Sequence, residues 1–404
     1  MDSETFNNLG KKAGELYKNF TSNKDYNQFF VISIAIVFFI LFALISWIYS
    51  KLNLKNKTCN RLDILYPTAI GNSFMHNGGS VKSAVKDVYD TSYSSILKNY
   101  YVKTAYNCCC GDGYKNNFVN ICALEKCIQA GARCLDFEIY SYNNEPIVAS
   151  STANDNNIKE TYNYLNLNDV FDTLNRMSFK DQETSCANDP MFLHFRIMST
   201  NKNIFNKMAE YIETILDKNP DGVNSYLLNG YNFSDTNNKL ILIDKIKNFY
   251  KKFIIMVTTN PNDDKTLSYT ELKKYVNIRS GTSGVLKIYR YDQMIGYSNS
   301  PVLNDEVKDS IVLVLPNINN NLDNYDFTIP QRDGCQFLAM KFQNMDNNLI
   351  AYNELFKEKG NYSLVLKPLH LRKDLIKEFD TPSGITVNNT TTDDMTDALL
   401  SGTP

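Results

Sequence analysis

The sequence predicts an α/β protein: a TIM-type (β/α)8 barrel preceded by one transmembrane helix. Three observations predict it. Eight short runs rich in β-branched and aromatic residues recur along the chain, and amphipathic segments with apolar residues three and four apart lie between several of them. Near the N-terminus, 22 consecutive residues carry no charge. Strand and helix in alternation argue for a parallel sheet, and eight repeats of the unit argue for its closure.

Residues 1–28 are polar and mixed in charge, with no sign of folding alone. The uncharged run follows, Phe29 to Ser50. At about 1.5 Å per residue it crosses a hydrocarbon core of roughly 30 Å, and it is too long and starts too late for a cleaved signal peptide. Lys18 and Lys24 flank one side, Lys51, Lys55, Lys57 and Arg61 the other. The nearer excess tilts the C-terminal part toward the cytosol, and Lys11 and Lys12 oppose that tilt. Sequons at Asn56, Asn232, Asn361 and Asn389 argue for the opposite side, although a chain so rich in Asn produces them by chance.

Residues 51–64 read as a basic stalk without a fold of its own, and residues 65–378 as the barrel. Residues 379–404, dominated by Thr, Asn, Asp, Gly and Pro, read as a disordered tail. The eight candidate strands are Lys103–Cys108, Arg133–Tyr140, Met191–Met198, Phe253–Thr258, Tyr275–Arg279, Ile311–Leu315, Phe337–Phe342 and Tyr362–Leu366. Phe118–Ala130 and Ile204–Asp217 have helical periodicity. A net charge of -2 announces no basic face for nucleic acid.

In such barrels chemistry sits at the C-terminal ends of the strands. Alternation within Arg133–Tyr140 puts Cys134, Asp136 and Glu138 on one face. Two carboxylates facing a barrel lumen need a pairing partner or a metal, whereas on a solvent face they need neither; the strand by itself leaves both open.

The segment CIQAGARCLDFEIYSYNNEPIVAS resembles the X-box of eukaryotic phosphoinositide-specific phospholipase C, and DGCQFLAMKFQNMDNNLIAYNELFKEKGNYSLVLKP resembles its Y-box. The X-like part runs from about 100 to 259 and the Y-like part from about 268 to 370. The resemblance implies a distorted TIM barrel of the phospholipase C-like phosphodiesterase type. In that family a calcium ion and two histidines cleave phosphatidylinositol 4,5-bisphosphate.

Position by position, the family's chemistry is altered. Tyr106 and Ser150 stand where the resemblance places the two histidines, and neither phenol nor hydroxyl protonates a leaving alkoxide at neutral pH as imidazole does. The implied calcium ligands fall on Asn107, Asp136, Glu138 and Arg196, so the fourth oxygen donor has become a permanent cation. A guanidinium there repels calcium and is suited to neutralise Asp136 and Glu138 itself. Met256 and Thr258 replace phosphate-gripping lysines, and Pro316–Pro330 holds no base to replace a family arginine.

Of three histidines, His194 shares the face of Arg196 and is the one candidate substitute for acid–base work, although a structural histidine hydrogen-bonded inside the barrel is the preferred reading; His76 and His370 are assigned to the surface. Cys108, Cys109, Cys110, Cys122, Cys127 and Cys134 lack zinc spacing and read as buried thiols, with one disulfide among them left open. No cofactor is expected, and calcium only if the altered ligand set still binds it. The expected function is a membrane-anchored, catalytically degenerate phospholipase C-like protein that binds or scaffolds. Its expected partners are membrane lipid, with a phosphoinositide headgroup as candidate, and other proteins. The alternatives are an active phosphodiesterase using His194, Asp136 and Glu138, and a structural membrane protein. The 260–266 link between the two halves is too short for the family's inhibitory plug.

Overall fold

The computed structural model describes residues 11–18, 24–67, 95–153, 158–184, 186–217, 225–232, 240–259, 267–281, 284–358 and 362–373. His76, the 260–266 link, the sequons at Asn361 and Asn389 and the tail lie outside them, as does most of the N-terminal segment.

Among the described residues eleven strands follow in order: β1 (Tyr100–Ala105), β2 (Cys134–Tyr142), β3 (Glu145–Ala149), β4 (Leu165–Asn166), β5 (Met191–Ile197), β6 (Phe253–Thr259), β7 (Ile278–Arg279), β8 (Leu286–Arg290), β9 (Ile311–Leu315), β10 (Phe337–Met340) and β11 (Leu364–Leu366). Eight form one parallel path, β7-β6-β5-β2-β1-β10-β9-β8, a nearly closed barrel. Its seam lies between β7 and β8, which only six residues separate. Parallel neighbours need a crossover of about a dozen or more.

Two strand assignments change. The run at Tyr362–Leu366 forms β11, which pairs antiparallel with β1 and lies off the barrel path. The eighth barrel strand is instead β8, four of whose five residues are only partly buried, so it lacks the apolar run that marks its neighbours.

Alternation sorts β2 and β5 into an outer and an inner face. Outward, Phe137 and Phe195 meet in a tilted pair 5.6 Å apart, and Phe171 of the helix Leu167–Met177 meets Phe195 at 5.8 Å. That helix buries Leu167, Val170, Phe171, Leu174 and Met177, the three-and-four stripe that a sheet-covering helix presents. Each such apolar side chain contributes about 1.5–3 kcal/mol by leaving water. Inward, Phe192 meets Phe337 from across the lumen at 5.1 Å and closes the floor. Above it the parallel register sets Asp136 beside His194, and Glu138 beside Arg196.

The helix Lys24–Leu52 carries the apolar stretch Gln28–Lys51, whose 24 residues make it long enough to cross a membrane. Beyond it the expected stalk is instead a helix, Leu54–Leu65, packed on the barrel. Thr58 and Leu62, one turn apart, are its buried residues. Thr58 lies so close to Gly111 that a Cβ there would meet its methyl group at 2.2 Å. Arg61 donates to the Gly111 carbonyl at 2.6 Å and pairs with Asp112 at 3.3 Å, while Lys126 pairs with Asp63 at 2.8 Å. A disulfide, Cys59–Cys122, joins this helix to Ile121–Gln129. The other seven cysteines are free and buried.

Candidate functional site

The inward residues of β2 and β5 meet the turn after β1 at the barrel mouth. Asn107 opens that turn with φ of 41°, a left-handed conformation that Asn tolerates better than most residues. This aims its backbone N–H at Asp136 Oδ2, 3.0 Å away, and its side-chain amide at Glu138 Oε1, 3.1 Å away.

Arg196 fills the space between them. Its Nε and Nη2 donate to the two oxygens of Asp136 at 2.9 and 2.8 Å. Nη1 donates to Glu138 Oε1 at 2.8 Å, and Nη2 also reaches Asn107 Oδ1 at 2.7 Å. The Tyr106 ring lies over the guanidinium, 5.0 Å from its carbon, and packs edge-on against Tyr114. All three charged residues are buried, Arg196 being 5% exposed.

Every acceptor position of the acids is in use. Asp136 takes two bonds from Arg196, one from the Asn107 N–H and one from His194. Glu138 takes one each from Asn107 and Arg196 on Oε1, and one each from the Tyr140 hydroxyl and the Ser151 N–H, both at 2.9 Å, on Oε2. A carboxylate has about four lone-pair sites. Calcium wants six to eight oxygens, and the oxygen donors of Asn107, Asp136 and Glu138 are committed to a guanidinium, so these residues do not fit the ion.

His194 is fully buried, with Nδ1 at 2.8 Å from Asp136 Oδ1 and Nε2 at 2.8 Å from Thr258 Oγ1. The carboxylate only accepts, so Nδ1 carries the proton and Nε2 accepts from the threonine hydroxyl. Burial lowers the imidazole pKa, outweighing Asp136, and the ring is neutral at pH 7. For Asp136 burial pushes up, but Arg196 and His194 pull harder, and its pKa ends below the usual carboxylate value. Arg196 is penalised by burial yet is held above its ordinary pKa by Asp136, Glu138 and Tyr106.

The remaining positions are placed as follows. Tyr106 is buried and its hydroxyl pKa is raised by that burial, so it holds its proton. Ser150 is buried and donates to the Tyr114 carbonyl at 3.0 Å. Met256 is core, while Thr258 is partly exposed beside His194. His370 is exposed. Among the described residues no group of three or more His, Cys, Asp or Glu side chains is arranged to hold a metal ion.

One residue escaped the sequence reasoning. Arg290, at the end of β8, donates to the Pro316 carbonyl at 2.9 Å and reaches the Tyr106 hydroxyl at 3.4 Å. It lies 184 residues from Tyr106 in the chain, and no local motif announces it. A cleft of about 510 Å³ opens elsewhere, beside the N-terminal end of β1, and contains none of these side chains.

No family model matches the chain, and no curated protein matches its sequence. Solved structures do. PLC21 from L. pealei superposes with a TM-score of 0.52 at 18% identity, over 70% of this chain and 38% of the other. PLC21 from S. officinalis gives 0.53 at 17% identity, again over 70% and 38%. The chain therefore spans well under half the length of either, and what it shares with them is the fold: a phospholipase C-like barrel.

Proposed function

We propose that the protein is a membrane-anchored phospholipase C-like barrel that has exchanged metal-dependent phosphodiester cleavage for binding at a lipid surface. One observation carries this reading: Arg196 donates to Asn107, Asp136 and Glu138 together. A fixed cation thus supplies the positive charge in the lumen. Cleavage also needs a proton donor for the departing oxygen. Tyr106 keeps its proton, Ser150 is spent on a carbonyl, and His194 is neutral and enclosed.

The anchor supports membrane action, and a phosphate-bearing headgroup is the ligand proposed. With Met256 and Thr258 offering no charge, Arg290, which reaches the Tyr106 hydroxyl, is a cation that such a headgroup could meet. The second reading, an active diesterase, draws on the relay Asp136–His194–Thr258 with its two 2.8 Å bonds. The two separate when full-length protein in mixed micelles is assayed on inositol phospholipids and glycerophosphodiesters, with and without calcium. We expect no turnover above blank micelles. Turnover that disappears in Asp136→Asn would establish the diesterase instead.

A further inference from the structure

The bases flanking the span are evenly divided. Lys11, Lys12, Lys18 and Lys24 precede it and Lys51, Lys55, Lys57 and Arg61 follow it, so charge by itself does not choose a side. The fold supplies a different criterion. Cys59 and Cys122, 63 residues apart, are joined between the helix that continues the span and a helix of the barrel. Disulfides of this structural kind form and persist in oxidising compartments and are rare in the reducing cytosol.

The other cysteines do not oppose such a compartment. All seven are buried, and burial raises the thiol pKa of Cys108, Cys110, Cys127, Cys134 and Cys335. Thiols without thiolate character or access resist oxidation. Only the two cysteines at the junction of anchor and barrel are paired. A sequon, Asn232-Phe233-Ser234, also presents an exposed asparagine on the barrel.

From this juxtaposition we infer that the barrel lies on the exoplasmic side, lumenal or extracellular, with Cys59–Cys122 clamping it to its anchor. The clamp also sets which surface the site meets. The helix Leu54–Leu65 packs on the mouth-side turn at Gly111 and Asp112, and Lys51 at the end of the span lies 5.3 Å from the ring of Tyr162, in the loop between β3 and β4. The mouth is held near the non-cytosolic leaflet, so its ligand belongs to that leaflet. This inference rests on the anchoring reading above.

The test uses the full chain, translated into sealed endoplasmic-reticulum microsomes. We expect it to resist carbonate extraction and the barrel to survive added protease until detergent is present. Non-reducing peptide mapping should find Cys59 and Cys122 joined, and an endoglycosidase-sensitive mass increment should shrink by one glycan in Asn232→Gln. An embedded chain whose barrel is digested without detergent, with both cysteines alkylated without reductant, overturns the inference. Carbonate release would overturn the anchor and with it the leaflet placement, while protease protection still reports the side.

Discussion

Arg196 grips Asp136 at two points, Nε to Oδ1 at 2.9 Å and Nη2 to Oδ2 at 2.8 Å, inside a lumen that leaves the carboxylate no exposed surface. Removing one partner of such a pair strands the other charge, which costs more than the pair itself contributes. Arg196→Met is therefore expected to destabilise the protein by about 3–5 kcal/mol at pH 7. The loss should shrink at pH 5, where the stranded Asp136, no longer held down by Arg196, can take up a proton. Urea unfolding at both pH values measures it.

Acid should weaken the wild-type protein in two steps with one sign. His194 has a folded pKa below its ordinary 6.5, so its contribution is present above that value and fades as pH falls below it. Asp136 lies below its ordinary 3.8, and its contribution is complete above that value and lost at lower pH. The urea midpoint should fall from pH 7 to pH 5, and His194→Gln should flatten that interval. An unchanged slope in the variant would remove His194 from the account.

Lys367 offers a stability prediction away from the site. Its ammonium is fully buried without a hydrogen-bond partner, and burial lowers its pKa to about 7. The unfolded chain holds this proton up to the ordinary 10.5, so wild-type stability should rise with pH between the two values. Lys367→Met removes the desolvation cost and should stabilise the protein by about 1–3 kcal/mol at pH 7 while abolishing the rise. Denaturant titrations at pH 7 and 9 decide this.

What was legible in the sequence follows what periodicity encodes. Alternation in β2 and β5 reports burial, and the structure has Asp136, Glu138, His194 and Arg196 on one inner face. Strand direction is not encoded: β11 reads like a barrel strand, yet it runs antiparallel to β1. Partial exposure hid β8, and with it Arg290. The helix Leu54–Leu65 has two buried residues among twelve, too few to show as a stripe. Its hold on the barrel comes from Cys59, Arg61 and Asp63, whose partners are distant in the chain.

Calcium titration of the full-length protein, followed calorimetrically beside Arg196→Glu, tests most directly whether a guanidinium has taken the ion's position. The wild type should give no heat of a specific site up to millimolar calcium. The variant, with four oxygen-bearing side chains at Asn107, Asp136, Glu138 and the new carboxylate, should bind one ion. A tight site in the wild type that Glu138→Ala abolishes would contradict the account.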